Sequence, residues 1–138
     1  MEDIRERFIK QGISYDNLDK EMIDLIGVLN FYLGLKTQSC CFGHKPHETP
    51  YIIFDESVTD EQILALAETT GNYTYPQIFF YKWIRGYPIK QNWKMNICLM
   101  FDEYEPKAYD LKTYWIEVVT ERLVDLKYKI KEGPYESL

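Results

Sequence analysis

Two adjacent cysteines, a glycine and both histidines of the chain fall between Leu35 and Phe54, in the run L-K-T-Q-S-C-C-F-G-H-K-P-H-E-T-P-Y-I-I-F. Thiolates, imidazoles and clustered backbone amides are the groups that ligate metals, attack electrophiles or hold anions. Backbone amides at Cys41, Phe42 and Gly43 can form a concave nest for a phosphate or carboxylate, with Thr37, Ser39, His44 and Lys45 adding hydrogen bonds or charge. Cys41, His44 and His47, with Cys40 as a fourth donor, offer soft and borderline ligands to zinc, although their spacing matches no recognised finger. Cys41 with His44 as base would be a thiol nucleophile. The plain alternative is a hairpin whose cysteines pack as small apolar residues.

A second group of useful side chains lies further on. Tyr81, Trp83, Tyr87 and Trp93 supply flat π-faces, while Lys82, Arg85, Asn92 and Asn96 supply hydrogen bonds and charge, a mixture that suits a nucleotide. On a strand, Phe79, Tyr81, Trp83 and Arg85 share one face and Phe80, Lys82 and Ile84 the other, so one set must be core. Asn96, within an otherwise apolar strand, needs partners if it is buried.

These groups need elements to position them. Leu35–Cys40 and Tyr51–Asp55 are β-rich, and Phe42–Thr49 between them carries the Gly, Pro, His and Glu of a turn, so residues 41–50 form a loop presented by two strands. Glu2–Gln11 reads as a short helix stopped by Gly12, with Asp16 as the next cap. Leu18, Met22, Leu25, Ile26 and Leu29 recur at helical steps over Leu18–Phe31, and Gly34 breaks that helix. Ser57 or Thr59 caps a helix through Ile63, Leu64, Leu66 and Ala67, with Asp60 and Glu61 at its positive end and Gly71 closing it. Gln77–Arg85 and Trp93–Phe101 form a second hairpin over residues 77–101, with Gly86–Asn92 as a long loop. A last helix over 109–131 places Leu111, Tyr114, Trp115, Val118, Val119, Arg122, Leu123, Leu126 and Ile130 at helical spacing, stopped by Gly133 and Pro134. The order α-α-β-β-α-β-β-α implies a single α/β domain of the α+β kind, a mixed or antiparallel sheet packed by helices. Apolar surface left over on the last helix would favour a homodimer or a larger ring.

Composition narrows the function. At 138 residues, with 12 Tyr, 7 Phe and 3 Trp and no low-complexity tract, the chain can bury a core without disulfides. A net charge of −6 and a pI near 4.9 argue against nonspecific binding of duplex nucleic acid, which requires a basic face. Met1–Lys10 is charged and lacks an apolar signal core, and no apolar run approaches the roughly 20 residues needed to span a bilayer, so a cytoplasmic protein with no membrane partner is expected. Adjacent Cys40 and Cys41 point to opposite faces of a strand, and with Cys98 they make no sensible disulfide framework.

The succession Ile23, Leu25, Ile26, Leu29, Asn30, then Leu35, Thr37, Ser39, Cys41, Gly43, then Pro50–Phe54, resembles the N-terminal signature of the Tyw3-type wybutosine tRNA methyltransferases. That family's Thr-Thr-Ser-Ser-Cys-Ser-Gly-Arg falls on Thr37, Gln38, Ser39, Cys40, Cys41, Phe42, Gly43 and His44, and the likeness runs through Asp55. The same residues resemble small bacterial and phage proteins with a Ser-Cys-x-Gly-His core. The first likeness implies an S-adenosylmethionine-dependent enzyme that modifies tRNA; the second implies a phage or mobile-element protein, for which sequestering a host signalling nucleotide is a natural anti-defence role.

The residues themselves form no catalytic constellation and include no Gly-rich loop of the G-x-G type. The reading they favour is binding of a small nucleotide-like anion without turnover, needing no cofactor, through Thr37, Ser39, Cys41, Gly43, His44, Lys45, Tyr81, Trp83, Arg85, Asn92 and Asn96. A methyltransferase-like or thiol-dependent RNA-modifying enzyme and a protein-binding adaptor are the alternatives.

Overall fold

Period-two alternation in the middle of the chain and three- to four-residue spacing around it divide the molecule into two layers. A computed structural model describes residues 3–132, with side-chain surroundings through Leu126. The strands β1 (Thr37–Cys41), β2 (Tyr51–Phe54), β3 (Ile78–Arg85) and β4 (Lys90–Ile97) pair antiparallel throughout, in the order β1-β2-β4-β3. The helices are α1 (Ile4–Lys10), α2 (Ile23–Gly27), α3 (Asp60–Thr70) and α4 (Ala108–Glu132). The α+β class and the element order match the sequence expectation, and of the two sheet types expected the antiparallel one forms. The stop at Gly133 and Pro134 and the side chain of Ile130 lie outside the described residues.

One parity of the sheet makes the core. Cys40, Ile52, Phe54, Phe80, Trp93, Met95 and Ile97 pack with Phe8, Met22, Leu25, Ile63, Leu66, Ile116, Val119 and Leu123 from the helices. The other parity carries Ser39, Cys41, Tyr51, Phe79, Tyr81, Trp83, Lys94 and Asn96, aligned across the strands by the pairs Cys41–Tyr51, Tyr51–Asn96, Asn96–Phe79 and Lys94–Tyr81. That face looks away from the helices, and Phe79, Tyr81 and Trp83 remain 49%, 45% and 57% exposed. Alternation therefore holds only at the start of β3, where Ile78 and Phe80 pack inward and Phe79 and Tyr81 face out; from Lys82 to Arg85 both sides are exposed, Ile84 included, so the set Phe80, Lys82 and Ile84 is core only at Phe80.

Several local expectations need correction. Leu18–Phe31 is not one helix but a 3-10 turn at Lys20–Met22, then α2, then a π turn at Val28–Tyr32. The wide turn accompanies the anchoring of Asn30, which is 7% exposed. Its Nδ2 donates to the Ile26 carbonyl (2.8 Å) and to Thr37 Oγ1 (2.9 Å), and its Oδ1 accepts from the Thr37 amide (3.1 Å). One buried carboxamide thus ties the end of α2 to the start of β1. Asp16 caps nothing: it lies within a 3-10 turn at Tyr15–Asn17 and pairs with Arg5 at 2.6 Å.

The second hairpin turns more tightly than expected. Arg85 pairs with Lys90, so Gly86–Ile89 is the whole loop; Lys90, Gln91 and Asn92 are strand, and β4 ends at Ile97 with Cys98–Phe101 beyond it. On α4 the buried stripe is Ala108, Lys112, Ile116, Val119, Leu123 and Leu126, whereas Leu111 and Tyr114 face solvent. Of the expected stripe Val119, Leu123 and Leu126 are buried, and at the start of the helix Ala108, Lys112 and Ile116 take the core positions in place of Leu111 and Tyr114.

Thr59 caps α3 with a reciprocal capping box to Gln62. Asp60 beside it accepts from Trp93 Nε1 (2.8 Å) and pairs with Lys82 (3.0 Å), joining α3 to the hairpin. The Trp93 hydrogen bond first, then that of Lys82, holds the Asp60 carboxyl below its ordinary value of 3.8. This contribution is complete above that value and disappears as the pH falls through the depressed one. Acid titration followed by Trp fluorescence should therefore loosen the α3–hairpin contact only below about pH 4, and Asp60→Asn should remove that step. Asn30→Ala leaves the buried Thr37 amide unsatisfied and should cost about 1–3 kcal/mol in urea denaturation.

Candidate functional site

Chemistry gathers at two adjoining places, the turn after β1 and the open sheet face. The turn is shaped from below by Lys112, which is 1% exposed. Its ammonium donates to the carbonyls of Gly43 (3.0 Å), Lys45 (2.7 Å) and Glu48, so each of its three N–H groups has an acceptor. The Phe42 ring lies 5.8 Å from the same nitrogen. Burial pushes the Lys112 ammonium below the ordinary lysine value of 10.5, and the nearby Glu48 and Cys41 charges oppose that shift. Gly43 has φ +84°, and a Cβ there would lie 2.6 Å from the Glu48 carbonyl oxygen and 3.2 Å from Lys112 Nζ. The backbone position therefore requires glycine. The far end of the loop is fixed by Thr49, whose hydroxyl donates to the Ile97 carbonyl and accepts from the Leu99 amide (3.0 Å).

The amides of this turn have internal partners. Phe42 N–H donates to Asp19 Oδ2 (2.8 Å), Gly43 N–H to Cys41 Sγ (3.4 Å), and Lys45 N–H to Glu48 Oε1 (2.9 Å). His44 Nε2 stands 3.5 Å from Asp19 Oδ2. Donor atoms of Asp19, Cys41 and His44 all lie within 4.8 Å of one another. Cys40 points the other way, and burial, with lesser effects of Asp19 and Cys41, pushes its thiol up to about 12. Beside the turn, an open cleft of about 210 Å³ is bordered by Glu21, Phe42, His44, Lys45, Glu105 and Tyr109.

On the sheet face, Lys94 is the centre. Its ammonium lies 4.3 Å from the Tyr51 ring centroid, 5.6 Å from that of Tyr81 and 5.9 Å from that of Trp83. A half-desolvated cation among aromatic rings offers charge to an anion and flat surface to a base.

The structure distributes the predicted site residues as follows. Ser39, Cys41, Tyr81, Trp83, Arg85 and Asn96 share the parity of the open face, with Arg85 at its hairpin end. Gly43, His44 and Lys45 belong to the turn at its other corner. Thr37 is buried with its amide and hydroxyl on Asn30, and Asn92 is buried with its amide nitrogen on Gln38 Oε1 and the Phe54 carbonyl, both at 2.9 Å. His47 is exposed and apart from the Asp19 cluster. Sequence reasoning missed Lys112, Asp19, Tyr51 and Lys94. The signals were a lysine at a core step of the Ala108–Ile116 spacing and a lysine alternating with Asn92 and Asn96.

The class defined by this fold and site is a two-layer α+β domain with a clamped Cys/His turn and an open aromatic sheet face. Residues 6–130 match the family described as YoqC prophage protein, and the chain belongs to that family of phage-type proteins. Among curated proteins and among solved structures nothing matches the chain. Among the described residues no helix is long and apolar enough to cross a membrane.

Gly43→Ala tests the geometry of the turn. Left-handed backbone alone costs about 1–2 kcal/mol for a non-glycine residue, and the collision with Glu48 adds to it. The expected outcome is a drop in thermal midpoint larger than that of Gly86→Ala, a position with open space around it and no positive φ, measured by calorimetry on both variants.

Proposed function

We propose that this phage-type protein binds a small nucleotide-like anion on the open sheet face and holds it without turning it over. One observation carries the reading: Lys94 sits among Tyr51, Tyr81 and Trp83 on the sheet face away from the helices, where the Tyr81 and Trp83 rings stay about half exposed. A base stacks on half-exposed Trp83 or Tyr81, and a phosphate takes Lys94, with Arg85 and Asn96 on the same side as further donors. Stacking of this kind is worth about 1–3 kcal/mol per base. The net negative charge of the chain favours a compact ligand held by a few aimed cations over a long polyanion. Membership of a prophage family supports the wider role, in which the phage protein withdraws a host signalling nucleotide by binding it.

The test is a calorimetric and thermal-shift panel of linear and cyclic nucleotides against the wild type, Trp83→Ala, Lys94→Met and the distant control Tyr104→Ala. A nucleotide should raise the melting temperature and return unchanged after denaturation. Trp83→Ala and Lys94→Met should each weaken it about tenfold, corresponding to roughly 1.4 kcal/mol, and Tyr104→Ala should not. Stabilisation by S-adenosylmethionine alone, with methyl transfer to RNA, would instead support the methyltransferase-like enzyme. No response to any nucleotide, with the aromatic face buried by a protein partner, would support the adaptor.

A further inference from the structure

We propose that Asp19, Cys41 and His44 form a binding site for a single zinc ion at the corner where β1 meets the Cys/His turn. The three residues come from separate local structures: Asp19 precedes the Lys20–Met22 turn, Cys41 ends β1, and His44 lies in the loop. Yet their donor atoms approach within 4.8 Å of one another, and His44 Nε2 is 3.5 Å from Asp19 Oδ2. Two ligands at zinc bond lengths of about 2.0–2.3 Å in tetrahedral geometry stand roughly 3.5 Å apart, so small side-chain rotations bring all three onto one ion. A Cys–His–Asp relay needs a different arrangement, with the imidazole between the other two and one nitrogen facing each. Here the three donor atoms converge.

The surroundings are those of an outer shell. Phe42 N–H holds Asp19 Oδ2 and Gly43 N–H points at Cys41 Sγ, so two successive amides each orient one anionic donor. The left-handed Gly43 then swings the chain so that the next residue, His44, supplies the third donor. One thiolate, one imidazole and one carboxylate form a donor set suited to zinc rather than to magnesium or calcium. As the zinc–sulfur bond forms, the Cys41 S–H proton passes to water; the thiolate and carboxylate charges then balance the dication. The His44 side chain is 70% accessible, which leaves the corner open to solvent, so a fourth position would hold water or an incoming oxygen ligand. His47, although the other histidine of the loop, takes no part. The inference is independent of the nucleotide reading, since it uses none of the sheet aromatics.

The test uses the purified full chain, reduced and stripped with a chelator, then titrated with zinc and separately with cobalt(II). The wild type should bind one equivalent, gain thermal stability, and with cobalt show a thiolate charge-transfer band. His44→Ala, an exposed substitution that the fold tolerates, should weaken zinc at least about tenfold. Cys41→Ser should abolish the cobalt band, while His47→Ala and Cys40→Ser should leave it in place. Absence of a band and of any stabilisation in the folded wild type overturns the proposal. So does a band that survives Cys41→Ser or a zinc affinity unchanged in His44→Ala. Nucleotide binding in the Trp83→Ala panel is read separately, so the failure of one proposal is not mistaken for failure of the other.

Discussion

A buried ammonium organises the most chemical part of this molecule. Lys112 lies on the core stripe of α4, out of water, where an unpaired charge would cost several kcal/mol. Its three N–H groups instead find the carbonyls of Gly43, Lys45 and Glu48. Those carbonyls can converge on one nitrogen only if the chain turns sharply, and Gly43 at φ +84° makes that turn. The turn in turn aims the Phe42 and Gly43 amides at Asp19 and Cys41 and brings His44 beside them. Helix, loop and donor cluster are thus consequences of one another, joined across residues distant in sequence.

The sheet supplies the complementary half. Because the helices pack on one side, alternation sends Ile78, Phe80, Trp93, Met95 and Ile97 of the hairpin to the core and Phe79, Tyr81, Lys94 and Asn96 away from it. An antiparallel sheet tolerates that exposure, but exposed rings grouped around a lysine exceed what solubility requires. The hairpin is kept in place from behind by Asp60, which accepts from Trp93 and pairs with Lys82 on the core parity of the same strands. Asn30 and Thr37 do the same for β1. These polar contacts, buried at Asn30 and Thr37 and exposed at Asp60, fix the frame, and the turn and the ring-lined face meet at Cys41 and Tyr51, which pair across β1 and β2.

Much of this architecture was legible in the chain. Strand alternation separated Tyr81, Trp83 and Arg85 from Phe80 and Lys82, and glycines and caps marked the element ends at Gly34 and Thr59. The concentration of Cys41, Gly43 and His44 marked the turn. What was hidden depended on partners far away along the chain. Lys112 stands at a core step of α4, but nothing local names its carbonyl partners, which lie far away at Gly43–Glu48. Asp19 pairs with Phe42, distant in sequence, and Asn30 holds Thr37, a residue that the sequence alone places among the ligand-binding groups. The hairpin loop is shorter than the Gly, Pro and Asn of Gly86–Asn92 suggest, because cross-strand pairing with Arg85 and Ile84 makes Lys90 and Gln91 strand.

Hydrogen exchange on the wild type and Lys112→Met tests the organising role of the ammonium most directly. Methionine keeps the length of the side chain and removes the donors, so the carbonyls of residues 43–48 lose their common partner. Charge-assisted hydrogen bonds are worth about 1.5–3 kcal/mol. Amides of residues 42–48 should accordingly exchange at least about tenfold faster, while the β2–β4 ladder keeps its protection. Unchanged protection across residues 42–48, in a variant that remains folded, would show that the turn holds its shape without Lys112 and would contradict the central claim.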